Sequence, residues 1–190
     1  MSVSAIPLQI ARAGWGSYNQ SLQKHPLLTK AITAAVGFSI GDIIAQLSTE
    51  PKRDYNLSRT LRMGAFGLLF AGPLQGHVWF NLLDKSISPR NPTKPWAVVS
   101  KMAADQLLMA PLGTACFFAW TKVTEGKANE TVPFIEAKLF DTIQTGWKLW
   151  VPAHLINFAA VPSSQRVLYT NLVAIVWTYI LSQAAAGGVK

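Results

Sequence analysis

Long apolar segments alternate with short polar ones along this chain. Three apolar segments, 29–49, 61–83 and 97–121, are long enough to cross a bilayer, since a membrane-spanning helix needs about 20 mostly apolar residues. A fourth segment, 139–162, is interrupted by polar residues, and a fifth, 166–183, is short. The pattern predicts one all-α integral membrane domain over residues 1–190, built as a bundle of four to five transmembrane helices.

Polar segments with prolines connect the predicted spans, at 48–59, 84–95 and 124–133. Tryptophans occur near the ends of the spans, as is typical of aromatic residues at the membrane–water interface. They are Trp79, Trp96, Trp120, Trp147, Trp150 and Trp177. The N-terminal 24 residues contain no acidic residue. They predict an amphipathic helix on the membrane surface, with a mitochondrial targeting segment as an equal alternative.

The composition strengthens the membrane interpretation, because only 14% of the residues are charged, against about 25% in a typical soluble domain. The net charge is +8, and the basic residues lie mostly between apolar segments, where they suit anionic lipid headgroups. No run of Lys and Arg and no nucleic-acid motif is present, so a nucleic-acid partner is not expected. Cys116 is the single cysteine, which excludes an internal disulfide and a cysteine-based metal site.

The first span, which contains "VGFSIGDIIAQLS", has two distinct faces. Small and polar residues recur at helical spacing on one face: Ala35, Ser39, Asp42, Gln46 and Thr49. Apolar residues recur on the other: Val36, Ile40, Ile43 and Leu47. A charge at the middle of a bilayer costs about 2.5–3.5 kcal/mol. We therefore expect Asp42 to face the interior of the bundle.

The other spans also carry polar residues. Together with Asp42 and Gln46, the candidate site residues are Arg62, His77, Lys101, Asp105, Gln106, His154, Asn157 and Arg166. In one interpretation they line a water-filled path, and in the other they form a closed interhelical network, for example Asp42 or Asp105 with Arg62 or Arg166. Lys101 and Asp105 are four residues apart and could pair along their helix. Both interpretations stay open, and the same residues could serve both.

Glycines and prolines add two local expectations. Gly37 and Gly41 form a GxxxG pattern, and Gly72 and Gly76 repeat it, which favours close helix packing over dimerisation. A homo-oligomer is not excluded. Prolines inside a span bend the helix and leave a carbonyl without its usual partner. The prolines expected to bend helices are Pro73, Pro111, Pro152 and Pro162.

Catalysis is not expected from the motifs in the sequence, since no HExxH, Gly-rich phosphate loop or nucleophile elbow is present. No catalytic residue, metal site or cofactor is therefore predicted. An enzyme remains the third alternative. It would need two or more of His77, His154, Asp42 and Asp105 within hydrogen-bonding reach in one pocket.

Four ordered motifs resemble one known family. They are "QKHPLLTKAITAAVGFSIGDIIAQ" (23–46), "RTLRMGAFGLLFAGPLQGHVWFNLLDK" (59–85), "DQLLMAPLG" (105–113) and "WKLWVPAHLINFAAVPSSQRVLYTNLVAIVWTYILS" (147–182). The family is named for the Mpv-seventeen protein and the twenty-two-kilodalton peroxisomal membrane protein. The resemblance runs from about residue 15 to 183.

The resemblance implies a small multi-pass protein of the mitochondrial inner membrane, or alternatively of the peroxisomal membrane. Some members resemble weakly selective channels, and the mitochondrial branch is linked to mitochondrial DNA maintenance and metabolic stress. The expected function is a channel for small solutes, including anionic metabolites or nucleotides. Arg62, Lys101 and Arg166 would attract anions, while Asp42 and Asp105 would gate by pairing with them. The alternative is a non-transporting scaffold protein.

Overall fold

The computed structural model describes residues 6–49 and 54–185, with side chains over 12–48 and 54–180. Six helices follow one another in this part of the chain. They are α1 (Ile6–Lys24), α2 (Pro26–Thr49), α3 (57–86), α4 (Pro95–Thr124), α5 (Thr131–Ala160) and α6 (Arg166–Ala185). No strand occurs over these two ranges. The all-α prediction is confirmed, and the N-terminal helix is present as α1.

Each predicted span corresponds to one helix, although 139–162 extends past the end of α5 at Ala160. Among the described residues, Pro26–Ser48 and Pro95–Thr124 are the two helices that are long and apolar enough to cross a membrane. The apolar part of α6, Arg166–Ile180, is shorter. The figure of four to five membrane crossings therefore stays a prediction. Residues 50–53 of the predicted connector 48–59 lie outside the described residues.

Local interactions explain where several helices begin. The Asn56 side chain accepts a hydrogen bond from the Arg59 backbone N–H at 2.9 Å and so caps α3. Pro95 opens α4, where a proline has no N–H to leave unpaired. Between α4 and α5, the Lys122 ammonium donates to Glu130 at 2.9 Å. This hydrogen bond holds the pKa of the Glu130 carboxyl below its ordinary value.

Two helices change to the wider π-helical winding beside a predicted proline bend. In α3 the π-helical segment is Gly67–Trp79, which contains Pro73, and in α4 it is Asp105–Met109, just before Pro111. A proline has no N–H for the regular ladder, and single π turns inside α-helices often mark functional sites. Pro152 lies inside α5 as expected. The prediction for Pro162 is wrong, because this residue lies in the connector after α5 and bends no helix.

The glycine patterns bring helices of this chain together. A Cβ on Gly41 would come within 2.6 Å of Thr178 on α6, and one on Gly37 within 3.1 Å of Asn171. A Cβ on Gly72 would lie 2.5 Å from the Cα of Ala31 on α2. Helix α2 therefore lies directly against α3 on one side and α6 on the other. These short distances agree with the expected packing role, and each of these glycine faces is covered within the chain.

Consecutive helices run antiparallel, and the long helices α2 to α6 form a ring. Helix α3 contacts α4, α4 packs against α5, and α5 packs against α6. One end of the ring carries residues 54–56, just before α3, and the connector 125–130, and we call it the Asp42 end. The other end carries the connectors 87–94 and 161–165, and we call it the Asp84 end.

The outer surface of the ring is strongly apolar. On α2, Val36 is 50% exposed and Leu47 65% exposed, while Asp42 on the opposite face is completely buried. These positions match the two faces expected from the sequence. Large exposed apolar surfaces are rare on soluble monomers, so this surface suits contact with lipid. Helix α1 lies outside the ring, where Tyr18 hydrogen-bonds Thr33 of α2 at 3.3 Å.

Candidate functional site

A cavity of about 110 Å³ lies inside the ring, and all five of its helices contribute to the wall. Most of the wall is apolar or aromatic. The polar side chains on it are Gln75 of α3, Asp105, Gln106 and Thr114 of α4, His154 of α5, and Thr170 and Asn171 of α6. A mostly apolar pocket with a few polar groups is the usual form of a small-molecule site.

The most polar part of the wall is centred on Asp105, which is 1% exposed. Its carboxylate accepts from Trp79 Nε1 at 2.8 Å and from Gln106 Nε2 at 2.9 Å. His154 Nε2 lies 3.0 Å from Asp105 Oδ2. We call Trp79, Asp105, Gln106 and His154 the Asp105 cluster. It joins α3, α4 and α5 at the π-helical segments, where the wider winding changes the direction of these side chains.

The His154 ring is held on both faces and at one edge. It stacks on Trp150 with ring centroids 5.4 Å apart, and on Phe158 at 5.6 Å. The Phe80 ring lies at 6.1 Å in an edge-on orientation. This packing fixes the imidazole so that Nε2 points at Asp105, while its buried Nδ1 has no hydrogen-bond partner among the described residues.

A second cluster lies at the Asp84 end. Lys101 Nζ is 2.7 Å from Asp84 Oδ1, and Arg166 Nη1 is 2.6 Å from Asp84 Oδ2. One carboxylate therefore ties α3 to both α4 and α6, and we call these three residues the Asp84 cluster. The Arg166 guanidinium also lies over the Phe158 ring at 5.2 Å, which adds a cation–π contact.

A third cluster is centred on Asp42. Arg59 Nε lies 2.8 Å from Asp42 Oδ1, while Gln46 Nε2 and Thr60 Oγ1 each donate to Oδ2 at 2.7 Å. Gln46 also accepts from the Asn56 backbone N–H at 2.8 Å. We call these five residues the Asp42 cluster. It fastens the start of α3 to the last turns of α2 and contributes no side chain to the cavity wall.

An aromatic group separates the Asp42 cluster from the cavity. Phe66 contacts four other rings with centroid distances from 5.1 to 6.2 Å: Phe38, Phe70, Phe117 and Trp120. Along α3 the order is Thr60, Phe66 and then Gln75, so this Phe66 cluster lies between the Asp42 cluster and the cavity and lines the cavity on that side. Trp120 Nε1 holds it in place by donating to the Arg62 carbonyl at 2.9 Å.

The ion pairs differ from those suggested by the sequence. Asp42 pairs with Arg59 rather than Arg62, whose side chain meets Ser58 at 3.2 Å. Lys101 pairs with Asp84 on the neighbouring helix and not with Asp105. The reason is that each side chain finds a partner on a neighbouring helix. Lys101 reaches Asp84 of α3, whereas Asp105 meets Trp79 of α3 and His154 of α5.

The other predicted site residues are spread over the structure. Gln46 belongs to the Asp42 cluster, and Gln106 and His154 belong to the Asp105 cluster. Asn157 is completely buried, and neither of its side-chain amide atoms has a hydrogen-bond partner among the described residues. His77 is partly exposed on α3 and does not line the cavity.

The candidate site residues did not include Arg59, Trp79 or Asp84, which the structure brings into the three clusters. Arg59 and Asp84 were left out because they lie just outside the apolar segment 61–83. Trp79 was assigned to an interfacial belt, although its indole N–H binds the buried Asp105. A belt position does not describe Trp150 either, since it stacks on His154.

Relatives of known family cover nearly the whole chain. Protein SYM1 from Eremothecium gossypii is 36% identical over 87% of this chain and 92% of its own length. The chain belongs to the Mpv17 / PMP22 family. The model of that family matches residues 122–182, which include most of α5 and α6. The resemblance carried by the four sequence motifs is thereby confirmed.

Other relatives point to the same family and compartment. Protein SYM1 from Saccharomyces cerevisiae is 34% identical over 87% of this chain and 86% of its own length. Mitochondrial inner membrane protein Mpv17 from Danio rerio is 32% identical over 90% of this chain and 96% of its own length. The chain is a mitochondrial inner-membrane protein of the Mpv17 / PMP22 family, as predicted. No solved structure matches it.

Proposed function

We propose that this protein is a channel for small solutes across the mitochondrial inner membrane, described here in a closed conformation. The observation that carries the proposal is the cavity lined by all five helices of the ring. Buried polar atoms beside it, Gln106 Oε1 and His154 Nδ1, have no hydrogen-bond partner among the described residues. Polar groups at membrane depth are costly unless they meet water, a solute or one another.

The closed state follows from the Phe66 cluster. A continuous polar path would have to pass from the Asp84 end, through the cavity and past Phe66 to the Asp42 end. The stacked and edge-on rings around Phe66 interrupt that path. Opening would require these rings to separate, and the nearby π-helical segment Gly67–Trp79 is a place where α3 can change its winding.

The scaffold alternative also has support. The Asp42 and Asp84 clusters are closed by mutual hydrogen bonds and ion pairs, as a purely structural network would be. A scaffold protein that bound its partners through the GxxxG faces would lack a docking surface, because these faces are covered within the chain.

The enzyme alternative meets one of its geometric requirements, because Asp105 and His154 lie within hydrogen-bonding distance on the cavity wall. His77 and Asp42 do not line the cavity, so the four residues do not form one site. None of the described residues on the cavity wall is a serine or a cysteine. We propose a non-catalytic role for the Asp105–His154 pair, which orients the polar wall.

The test is single-channel recording of the purified protein in a planar bilayer, with Gly113→Leu beside the wild type. Gly113 lines the cavity, and a Cβ placed there meets nothing within 4 Å. A Cβ at this position therefore meets open space at the cavity wall, so we choose it for a larger side chain. We expect discrete wild-type openings and a conductance reduced by more than half in the variant.

The matched control is Gly14→Leu on α1, where a Cβ also meets nothing within 4 Å but lies outside the cavity. Its conductance should equal that of the wild type. Silence of a correctly folded wild type, across voltage and pH, would reject the channel and favour the scaffold. Openings that Gly113→Leu leaves unchanged would reject this cavity as the path.

A further inference from the structure

Lys30 is a buried cation without a paired acid. It is 6% exposed, and its ammonium donates to the Gly76 carbonyl of α3 at 3.1 Å. No carboxylate forms an ion pair with it among the described side chains. An ammonium has three donors, and this contact uses one of them. Burying a charge is costly unless it is paired, so a carbonyl alone leaves Lys30 undercompensated.

The surroundings of Lys30 increase the excess of positive charge. Arg166 and Asp84 both lie within its electrostatic range, as does the His77 ring. Arg166 is 4% exposed, and its buried Nε has no hydrogen-bond partner in the described part of the chain. The buried Nδ1 of His77 also has none there. Unused hydrogen-bonding groups on three side chains, contributed by α2, α3 and α6, therefore lie in one neighbourhood.

The charges of this neighbourhood do not cancel. Lys30, Lys101 and Arg166 bring three positive charges, and Asp84, which pairs with two of them, brings one negative charge. The excess is two positive charges with His77 neutral. A phosphate group carries about −1.5 to −2 near pH 7 and offers three strong acceptor oxygens. It would compensate this excess more fully than a single carboxylate.

We propose that Lys30, His77 and Arg166 bind one phosphate group at the Asp84 end of the cavity. Gly76, whose carbonyl accepts from Lys30, lines the cavity. Val167, the residue after Arg166, lines it as well, so the site adjoins the cavity. The group belongs either to a phosphate-bearing solute or to an anionic lipid headgroup. The binding site follows from these charges and contacts alone, and only its use by a passing solute rests on the proposed channel function.

The test is thermal unfolding of the full chain in dodecyl maltoside micelles, a detergent without phosphate. Sodium phosphate is compared with sodium chloride at equal ionic strength, for wild type and for Lys30→Met. At phosphate near ten times the dissociation constant, the wild-type midpoint should rise by roughly 3 °C. This specific rise should disappear in Lys30→Met.

The variant is expected to fold, because replacing an unpaired buried charge by an apolar side chain of similar length relieves a cost. Its midpoint in chloride should equal or exceed that of the wild type. The matched control, Lys24→Met, removes an exposed lysine from the same end of the ring and should keep the full phosphate response. Phosphate also stabilises proteins nonspecifically. That nonspecific rise in the midpoint should be equal in the wild type and in both variants.

A second arm identifies the source of the phosphate by adding to the micelles phosphatidic acid, a lipid whose headgroup is a phosphate monoester. A midpoint raised by inorganic phosphate indicates a solute site, and one raised by the lipid alone indicates a headgroup site; either response must be lost in Lys30→Met. No response in the wild type, or an equal response in Lys30→Met, would overturn the inference. This experiment measures binding and not solute flux. A failure of the phosphate proposal can therefore be distinguished from a failure of the channel proposal.

Discussion

At the scale of single residues, burial assigns different tasks to similar side chains. Asp42 and Asp105 are both almost completely buried carboxylates. Asp42 is surrounded by donors that fasten α3 to α2, whereas Asp105 lies on the cavity wall with His154. Asp42, the carboxylate that first suggests a pore, thus connects two helices. Asp105 is the carboxylate at the centre of the polar cavity wall.

Replacing Asp42 by asparagine should lower stability and leave conductance unchanged. The amide has one acceptor oxygen, so it cannot serve Arg59 on one side and Gln46 with Thr60 on the other. We expect a loss of about 1–3 kcal/mol in unfolding free energy, measured by denaturant titration in micelles. Asp54→Asn, at an exposed position, is the control and should be neutral. An altered single-channel conductance in Asp42→Asn would put Asp42 back on the path.

At the scale of helices, close contact and altered winding decide how the elements meet. Helix α3 approaches α2 so closely that a side chain at Gly72 would contact the backbone of Ala31. The same helix is π-helical over Gly67–Trp79. Short contacts and wide turns together bring Trp79 to Asp105 on α4, a contact that helical periodicity alone does not indicate.

The same substitution at two glycines should have opposite effects. Gly72→Ala places a Cβ 2.5 Å from Ala31 Cα, which forces α2 and α3 apart and should cost about 1–3 kcal/mol. Gly113→Ala meets nothing within 4 Å in the regular part of α4 and should gain about 0.5–1 kcal/mol, because alanine favours the helix. Unfolding titrations of both variants check this, and equal signs would contradict the close approach.

At the scale of the whole molecule, buried polar clusters hold the ring together at three levels. The Asp42 cluster closes one end, the Asp84 cluster joins α3, α4 and α6 at the other, and the Asp105 cluster lies between them. In lipid the hydrophobic effect gives little attraction between helices, so packing and polar contacts set the arrangement. The same clusters leave one cavity at the centre.

Replacing Asp84 by asparagine should therefore weaken the whole ring. Lys101 and Arg166 would stay buried without a carboxylate, and we expect a loss of about 3 kcal/mol, since Asp84 keeps 23% side-chain exposure and some access to water. Adding Lys101→Met to Asp84→Asn should recover part of that loss. A double-mutant cycle measured by unfolding in micelles tests this, and strict additivity of the two changes would refute the coupling. Asp141→Asn, an exposed acid on α5, serves as the neutral control.

The sequence by itself determined the helices, their faces and the family. Apolar periodicity placed Asp42 on the inner face of α2 and Val36 on the outer one, because a helix repeats its faces every three to four residues. The GxxxG pairs identified the close contacts, since only a missing side chain allows them. Four ordered motifs identified the Mpv17 / PMP22 family.

Only the tertiary structure decided which polar residues meet. Asp84 joins residues 17 and 82 positions away along the chain, and no local pattern encodes such a partner. Asp105 meets His154 of α5, and Lys101, four residues before it, meets Asp84 of α3 instead. Periodicity assigns a residue to one side of its own helix. Which residue of another helix it contacts depends on how the five helices close into a ring.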